Sequence, residues 1–352
     1  MKKFLLFLSL LLLVVVSCDA TKPNGGIAEA EYILEDSIDS VGSKIKGVSM
    51  EMPGNPMGQD MMATVKEANS EWVALIPYGY TREGQAKVNF NYGGSWWGES
   101  VEGTVACAQF AKNLGLKTML KPHVWVVGQG WPGDFDLKSE KEWKIWEESY
   151  RTYILAMANV ADSMEVDLFC IGTEYRHAVV KRSAFWEKLI DEVRTIYKGD
   201  LTYASNWDNF HKVKFWDKLD VIGVDAYFPL SEAKEPSVDE MIESWQVPLK
   251  QLKALSEKKD RDVLFTEYGY KSIDYVSAGH WNYNEDTIKV NVQNQVNAYE
   301  SLFQSVWQED WMLGGFFWKW HFYADAGGLS NRRYTPQGKP CLETIRKWYG
   351  KP

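Results

Sequence analysis

Eight short runs rich in Val, Ile, Leu and Phe recur along the chain, separated by longer stretches with helical spacing. No other feature limits the fold as strongly. The runs are 45–50 (IKGVSM), 72–77 (WVALIP), 117–123 (KTMLKPH), 166–173 (VDLFCIGT), 201–205 (LTYAS), 220–226 (DVIGVDA), 263–267 (VLFTE) and 314–319 (GGFFWK). Near-continuous apolarity fits strands covered on both faces, the condition of a parallel sheet wrapped by helices. Between them, residues 140–164 place Trp146, Tyr150, Tyr153, Met157, Val160 and Met164 at three- and four-residue intervals with charged residues opposite, which predicts an amphipathic helix. Residues 183–198 repeat the pattern, with Ser183 as the expected N-cap and Gly199 as the stop, and 101–114, 288–307 and 340–348 read in the same way. The stretch 239–257 has helical spacing, but Pro248 is expected to interrupt it. Eight strands alternating with helices over about 310 residues predict a single-domain (β/α)8 barrel. A doubly wound open sheet is the alternative.

The amino terminus, MKKFLLFLSLLLLVVVSC, has two lysines, an apolar run from Phe4 to Val16, then Ser17 and Cys18. That is the layout of a secretory signal, and the run is too short for a permanent membrane span. Ser17-Cys18 resembles the bacterial lipoprotein cleavage box, in which the cysteine becomes the lipidated first residue; an ordinary signal peptide cut nearby is the alternative. The expected organisation is a signal peptide over 1–17, a flexible tether over 18–41 and the catalytic barrel over 42–352, with the protein held by Cys18 to the bacterial cell envelope, periplasmic or at the surface. The remaining cysteines, Cys107, Cys170 and Cys341, are odd in number and widely spread, so they form no disulfide framework, and Cys107 and Cys170 read as small buried hydrophobes. The formal charge of −9 becomes −11 once Lys2 and Lys3 leave with the signal, 37 basic against 48 acidic residues. Nucleic acid is excluded as a partner by that sign, and a neutral or weakly charged substrate fits. A monomer is expected.

Function is expected at the loops. Those over 79–100 (Trp96, Trp97), 124–139 (Trp125, Trp131) and 268–287 (Trp281, Tyr283) are long and aromatic, and with Trp207, Trp318 and Trp320 they put eight of the 17 tryptophans at or beyond strand ends. An indole offers a flat apolar face and an N–H donor, which suits the C–H face and hydroxyl rim of a sugar. About half of these rings would merely plug the barrel top.

Two glutamates stand at the downstream ends of apolar runs, Glu174 after VDLFCIGT and Glu267 in VLFTE. Burying a carboxylate costs several kcal/mol unless it is paired or used. In a barrel the C-terminal strand ends converge on one site, and two carboxylates flanking one cleft are the machinery of glycosidic bond cleavage. Counting back by twos gives Gly172, Cys170 and Leu168 from Glu174, and Phe265 and Val263 from Glu267, all suited to a barrel interior. For Glu267 the alternative is a structural ion pair with Arg176 or Lys121. A separation of about 5 to 5.5 Å would give retention of configuration, and a wider gap of about 6.5 to 9.5 Å inversion. Repulsion between the two would keep one protonated to serve as acid.

The segments IGTEYR (171–176), LFTEYGY (264–270), KPHVW (121–125) and FFWKWH (316–321) resemble glycoside hydrolase family 113, within the clan of retaining (β/α)8 hydrolases, over about 45–349. The resemblance implies Glu174 as acid/base and Glu267 as nucleophile, in a retaining hydrolase of β-1,4-mannan or manno-oligosaccharides acting within the chain. It also implies a platform at Trp318 and a hydrogen bond from Tyr227 to the nucleophile, against ordinary rim packing for that tyrosine. Where most of the clan has Asn before the acid/base this chain has Thr173, and Asn206 is the substitute expected to meet the sugar 2-hydroxyl. His123, Lys121 and Trp125 are expected to contact hydroxyls, although His123 could equally be a core histidine, and Trp207 and Trp320 complete the candidate sugar-binding set. Exo-acting β-mannosidase, β-glucan or galactan hydrolase, and a non-catalytic glycan-binding lipoprotein are the alternative functions.

The five histidines form no His-x-His or HExxH pattern, and the chain has no GxSxG elbow and no glycine-rich turn after the first run. No metal and no cofactor is expected.

Overall fold

A computed structural model describes residues 44–279 and 287–351. The signal peptide over 1–17, Cys18, the tether, and Trp281 and Tyr283 lie outside the described residues. In chain order the elements are β1 (Ile45–Met50), α1 (Asp60–Ala63), β2 (Trp72–Leu75), β3 (Tyr78–Arg82), α2 (Val101–Asn113), β4 (Lys117–Leu120), β5 (His123–Val127), α3 (Glu140–Ser163), β6 (Leu168–Thr173), α4 (Ala178–Lys181), α5 (Ser183–Ile196), β7 (Asp200–Asn206), β8 (Ile222–Asp225), α6 (Val238–Lys259), β9 (Val263–Tyr268), α7 (Val292–Gln304), β10 (Met312–Trp320) and α8 (Cys341–Tyr349). Eight parallel strands close in the order β1-β10-β9-β8-β7-β6-β4-β2. This is the (β/α)8 barrel.

Inside it, Ile45, Trp72, Ala74, Met119, Leu168, Val221, Leu264 and Phe316 fill the lumen. Outside, the strands bury a second, larger apolar layer against the helices, in which Trp146 and Tyr150 stack on each other and each meets Trp186 edge to face. The longest helix starts as its sequence requires: Ser139 caps α3 and Glu142 returns the bond, a capping box that satisfies otherwise orphaned N–H groups.

Three expectations change. Ser183 is the first residue of α5 and Arg182 holds the cap position without a side-chain bond, because the turn of α4 runs directly into it. Pro248 lies within an unbroken α6. Losing one backbone bond costs about 3 kcal/mol, whereas the stripe of Met241, Trp245, Leu249 and Leu252 contributes roughly 1.5 to 3 kcal/mol for each buried side chain. The third change shapes the cleft. The runs 72–77 and 117–123 each end early as barrel strands, at Leu75 and Leu120, and each chain passes a proline, Pro77 or Pro122, before pairing again as β3 with β5 in a separate two-stranded parallel sheet on the rim. Proline has no N–H to continue a ladder, so the two strands leave the barrel together. Tyr153 of α3 secures the bend by donating to the carbonyls of Pro77 and His123.

Candidate active site

Both glutamates enter the lumen through irregular backbone. In β6, Cys170 and Thr173 face Thr202 and Ala204 of β7, so β6 carries one extra residue. Leu168 points inward as expected, but Gly172 does not. A Cβ there would lie 2.7 Å from the Tyr150 hydroxyl and 2.8 Å from Trp186, on the helix side. Glu174 then takes a left-handed φ of 53°, its N–H donating to the Ala204 carbonyl at 2.8 Å. In β9 the inward residue is Leu264, whereas Val263 and Phe265, expected inside, pack outward, Phe265 stacking on Trp245 of α6. Phe265 and Glu267 face Val224 and Asp225 of β8, so β9 also carries an extra residue, and Thr266 and Glu267 both turn inward. Such bulges re-aim side chains at barrel rims.

The two carboxylates line one cleft of about 870 Å³ at the C-terminal end of the barrel, together with Tyr78, His123, Trp125, Trp131, Arg176, Asn206, Trp207, Tyr227, Lys271, Trp318 and Tyr334. A larger groove of about 1310 Å³ lies outside it between the rim sheet and α3, lined by Arg82, Tyr92, Lys144 and Ile145 among others, and holds neither glutamate. A side recess of about 280 Å³, lined by Glu51, Tyr80, Trp96, Glu99 and Lys319, continues the cleft by sharing Tyr78, Trp125 and Trp318 with it.

Beneath the cleft lies a buried charge cluster. The Lys121 ammonium donates to Glu267 Oε1 at 2.5 Å and to Asp225 Oδ1 at 2.9 Å, and Thr266 donates to the same Asp225 oxygen at 2.7 Å. Tyr227 donates to the other oxygen of Glu267 at 2.7 Å. His123 Nε2 stands 3.4 Å from Glu267 Oε1, too poorly aligned for a firm hydrogen bond. Glu267 therefore has both the ion pair that was its structural alternative and a place in the cleft.

These surroundings drive the two glutamates apart. Burial works against the Glu267 charge, but the Lys121 ammonium outweighs it and holds the carboxyl at about 2. Glu174 goes the other way. Burial first, then the charges of Asp225 and Glu267, push it well above the usual carboxylate range, against the pull of Lys121 and the Trp131 indole, which donates to Glu174 Oε2 at 2.7 Å. Asp225 is also raised, to about 7, by burial and the Glu267 charge. Two carboxylates share one ammonium, and Asp225, whose Oδ2 has no hydrogen-bond partner among the described residues, is the one that yields. Burial, joined by the Lys121 charge, lowers His123 and keeps the ring neutral.

Of the expected sugar-binding set, Trp125, Trp207, Trp318, His123, Asn206 and Tyr227 line the cleft. Asn206 is anchored by donating to Asp208 at 2.8 Å. Lys121 and Trp320 do not line it. Lys121 is fully buried under the floor, where it holds carboxylates rather than hydroxyls. Trp320 packs in the outer core and donates to Thr64, because its strand position faces the helices. Sequence reading missed Asp225 and Arg176 as site groups and noted Trp131 only as a loop aromatic. Asp225 carried the same signal as the glutamates, an acid in an apolar strand. Arg176 bonds Asp134 at 2.6 Å and Asp208 at 3.0 Å, contacts that only the fold creates.

The sequence pattern of glycoside hydrolase family 113 matches residues 54–339. Among solved structures, the family 113 β-mannanase of Alicyclobacillus acidocaldarius in complex with ManMIm is similar at a TM-score of 0.78 and 25% identity, over 90% of this chain and 99% of that one. A second family 113 β-1,4-mannanase matches at 0.76 and 26% identity, over 88% and 100%. A β-glucuronidase from Ruminococcus gnavus matches at 0.61 and 13% identity, over 87% of this chain and 50% of that one, a likeness of fold alone. Among curated proteins nothing matches.

Proposed function

We propose, since this chain belongs to glycoside hydrolase family 113 and is a glycoside hydrolase, that it cleaves β-1,4-linked mannan or manno-oligosaccharides with retention of configuration, Glu267 acting as nucleophile and Glu174 as acid and then base. One observation carries the mechanism: two carboxylates in one cleft, one held ionised by an ammonium and a phenol, the other held protonated. In the first step an ionised Glu267 oxygen bonds the anomeric carbon while the C–O bond to the leaving sugar breaks and its oxygen takes the Glu174 proton. Esterification removes the Glu267 charge, which is one of the causes that raise Glu174. The acid/base therefore becomes more acidic once it has given up its proton, and as an anion it can deprotonate the incoming water. Lys121 and Tyr227 hold the nucleophile throughout, and the flat face of Trp318 suits the reacting sugar.

The substrate class is supported by the β-mannanases that the chain resembles over nearly its whole described length. Cleavage within the chain is supported by the recess that extends the cleft past Trp318, giving a polymer room beyond the reacting sugar. Glu174→Gln and Glu267→Gln are each expected to lose nearly all release of reducing ends from mannan. Azide is expected to rescue Glu267→Gly with an inverted glycosyl azide, and normal turnover by either glutamine variant would refute the assignment. Cys18 is proposed as the lipid-bearing residue that holds the enzyme to the cell envelope; unchanged radiolabelled-palmitate incorporation in Cys18→Ser would exclude it.

A further inference from the structure

Trp131 meets Glu174 in a way that sugar stacking alone does not require. Its indole N–H donates to Glu174 Oε2 at 2.7 Å, while Glu174 faces the cleft and its Oε1 has no hydrogen-bond partner among the described residues. The indole is held from several sides. The Arg176 guanidinium lies 5.0 Å from the ring centroid and is itself clamped by Asp134 and Asp208. Gly133 lies so close under the ring that a Cβ there would fall 2.2 Å from it. Gln129 donates to the Trp131 carbonyl at 2.8 Å, and Gly130, at a φ of 88°, supplies a turn that few other residues could make. A loop built this tightly around one ring fixes where its N–H points.

We propose that Trp131 is a positioning residue for the acid/base: its N–H occupies Oε2 of Glu174 and thereby assigns the transferable proton to Oε1, the oxygen that opens on the cleft. The inference rests on Glu174 being the acid/base. An indole donates and cannot accept. A protonated oxygen is also a poorer acceptor than the carbonyl oxygen of the same acid, so the bond to Trp131 persists only if the proton sits on the other oxygen. A Gln, His or Tyr in this place could accept a hydrogen bond and would let the proton settle on Oε2, turned away from the glycosidic oxygen. When the Oε1 proton passes to the leaving oxygen, the negative charge left on Glu174 is spread over both oxygens, and the same N–H stabilises it. The Arg176 brace acts through Trp131 and keeps that donor aligned in both states.

The test is a series of aryl β-mannobiosides from dinitrophenyl to unsubstituted phenyl, assayed with the wild-type enzyme and Trp131→Phe. Dinitrophenolate leaves without a proton, and phenolate and sugars need one. The variant is expected to lose at least about 10-fold in kcat/KM on the phenyl substrate and on manno-oligosaccharide, yet less than about 3-fold on the dinitrophenyl one, so that dependence on the leaving group steepens. The basic limb of its pH profile should move upward, because a donor favouring the charged form is gone. Equal losses on every substrate with an unmoved basic limb would mean a stacking platform only and would overturn the proposal, as would no loss. If Trp131→Phe melts well below wild type, Arg176→Met, which leaves the indole but removes its brace, should show the same steepening on a smaller scale, and its absence would likewise overturn it. No hydrolysis of any substrate by wild type would instead refute the hydrolase mechanism itself.

Discussion

Lys121→Met tests the charge cluster under the cleft most directly. Methionine keeps most of the stem volume and removes only the ammonium. That ammonium is fully buried, 2.5 Å from Glu267 and 2.9 Å from Asp225, and is the cation bonded to both. At an effective dielectric of about 20 and a separation of about 3 Å, each attraction is about 5 kcal/mol, or roughly 4 pKa units as an upper limit. The Tyr227 hydrogen bond survives the change and Asp225 is already poised to take a proton, so the expected rise in the acid limb of kcat/KM is about 2 units, from a starting point set by the Glu267 value of about 2. Removing one partner of a buried pair costs about 3 to 5 kcal/mol, a fall in melting temperature of about 6 °C or more at neutral pH.

The sign with pH follows from the shifts. In the wild type the depressed Glu267 stabilises the fold above its ordinary pKa of about 4.3, and this contribution is lost as pH falls through about 2. In the variant Glu267 returns to near its ordinary value and this contribution disappears, while Asp225, already raised by burial, loses the ammonium that opposed the rise and moves further up, so the folded state is penalised as pH climbs through that raised value. The gap in melting temperature between the two proteins should therefore widen from about pH 3 to about pH 8. Adding Asp225→Leu should recover part of the stability without restoring activity. A melting temperature within about 2 °C of wild type across that range, with an unmoved acid limb, would refute the argument.

Three other outcomes are expected. Tyr227→Phe removes the donor at 2.7 Å from Glu267 and should lower kcat/KM about 10- to 100-fold and raise the acid limb, with circular dichroism unchanged; full activity would mean the phenol only packs the rim. Gly172→Ala forces a methyl group against Tyr150 and Trp186 and should destabilise by about 1 to 3 kcal/mol in denaturant titration, so wild-type stability would contradict the bulge described in β6. The wild-type pH profile of kcat/KM should be a broad bell, falling on the acid side only near the Glu267 value of about 2 and on the basic side above the usual carboxylate range where Glu174 loses its proton. An acid limb near 4 to 5 would show that Lys121 does not hold Glu267 ionised.

The barrel, its eight strands and the two glutamates at strand ends were legible in the chain because each is a local property. Apolar runs of strand length, helical stripes such as Trp146 to Met164, and an acid closing an apolar run need no knowledge of distant residues. The alternation count reached the correct conclusion, that Glu174 and Glu267 point inward, through inward neighbours that are partly wrong. Gly172, Val263 and Phe265 face the helices, and each glutamate reaches the lumen only because its strand gains a residue. A bulge is decided by the registers of neighbouring strands as the sheet closes, and a period of two read along one strand cannot register it.

The electrostatic character of the site was decided by tertiary structure alone. Lys121 meets Asp225 across 104 residues of chain and Glu267 across 146, and Trp131 meets Glu174 across 43. The prolines at 77 and 122 announced breaks, but that the two freed segments would pair into a rim sheet carrying His123 and Trp125 depended on β2 and β4 lying side by side. The sequence thus determined which residues could do chemistry, because burying a carboxylate without purpose is costly. Barrel closure determined which oxygen each donor touches, because contacts between distant segments are set by strand order and register.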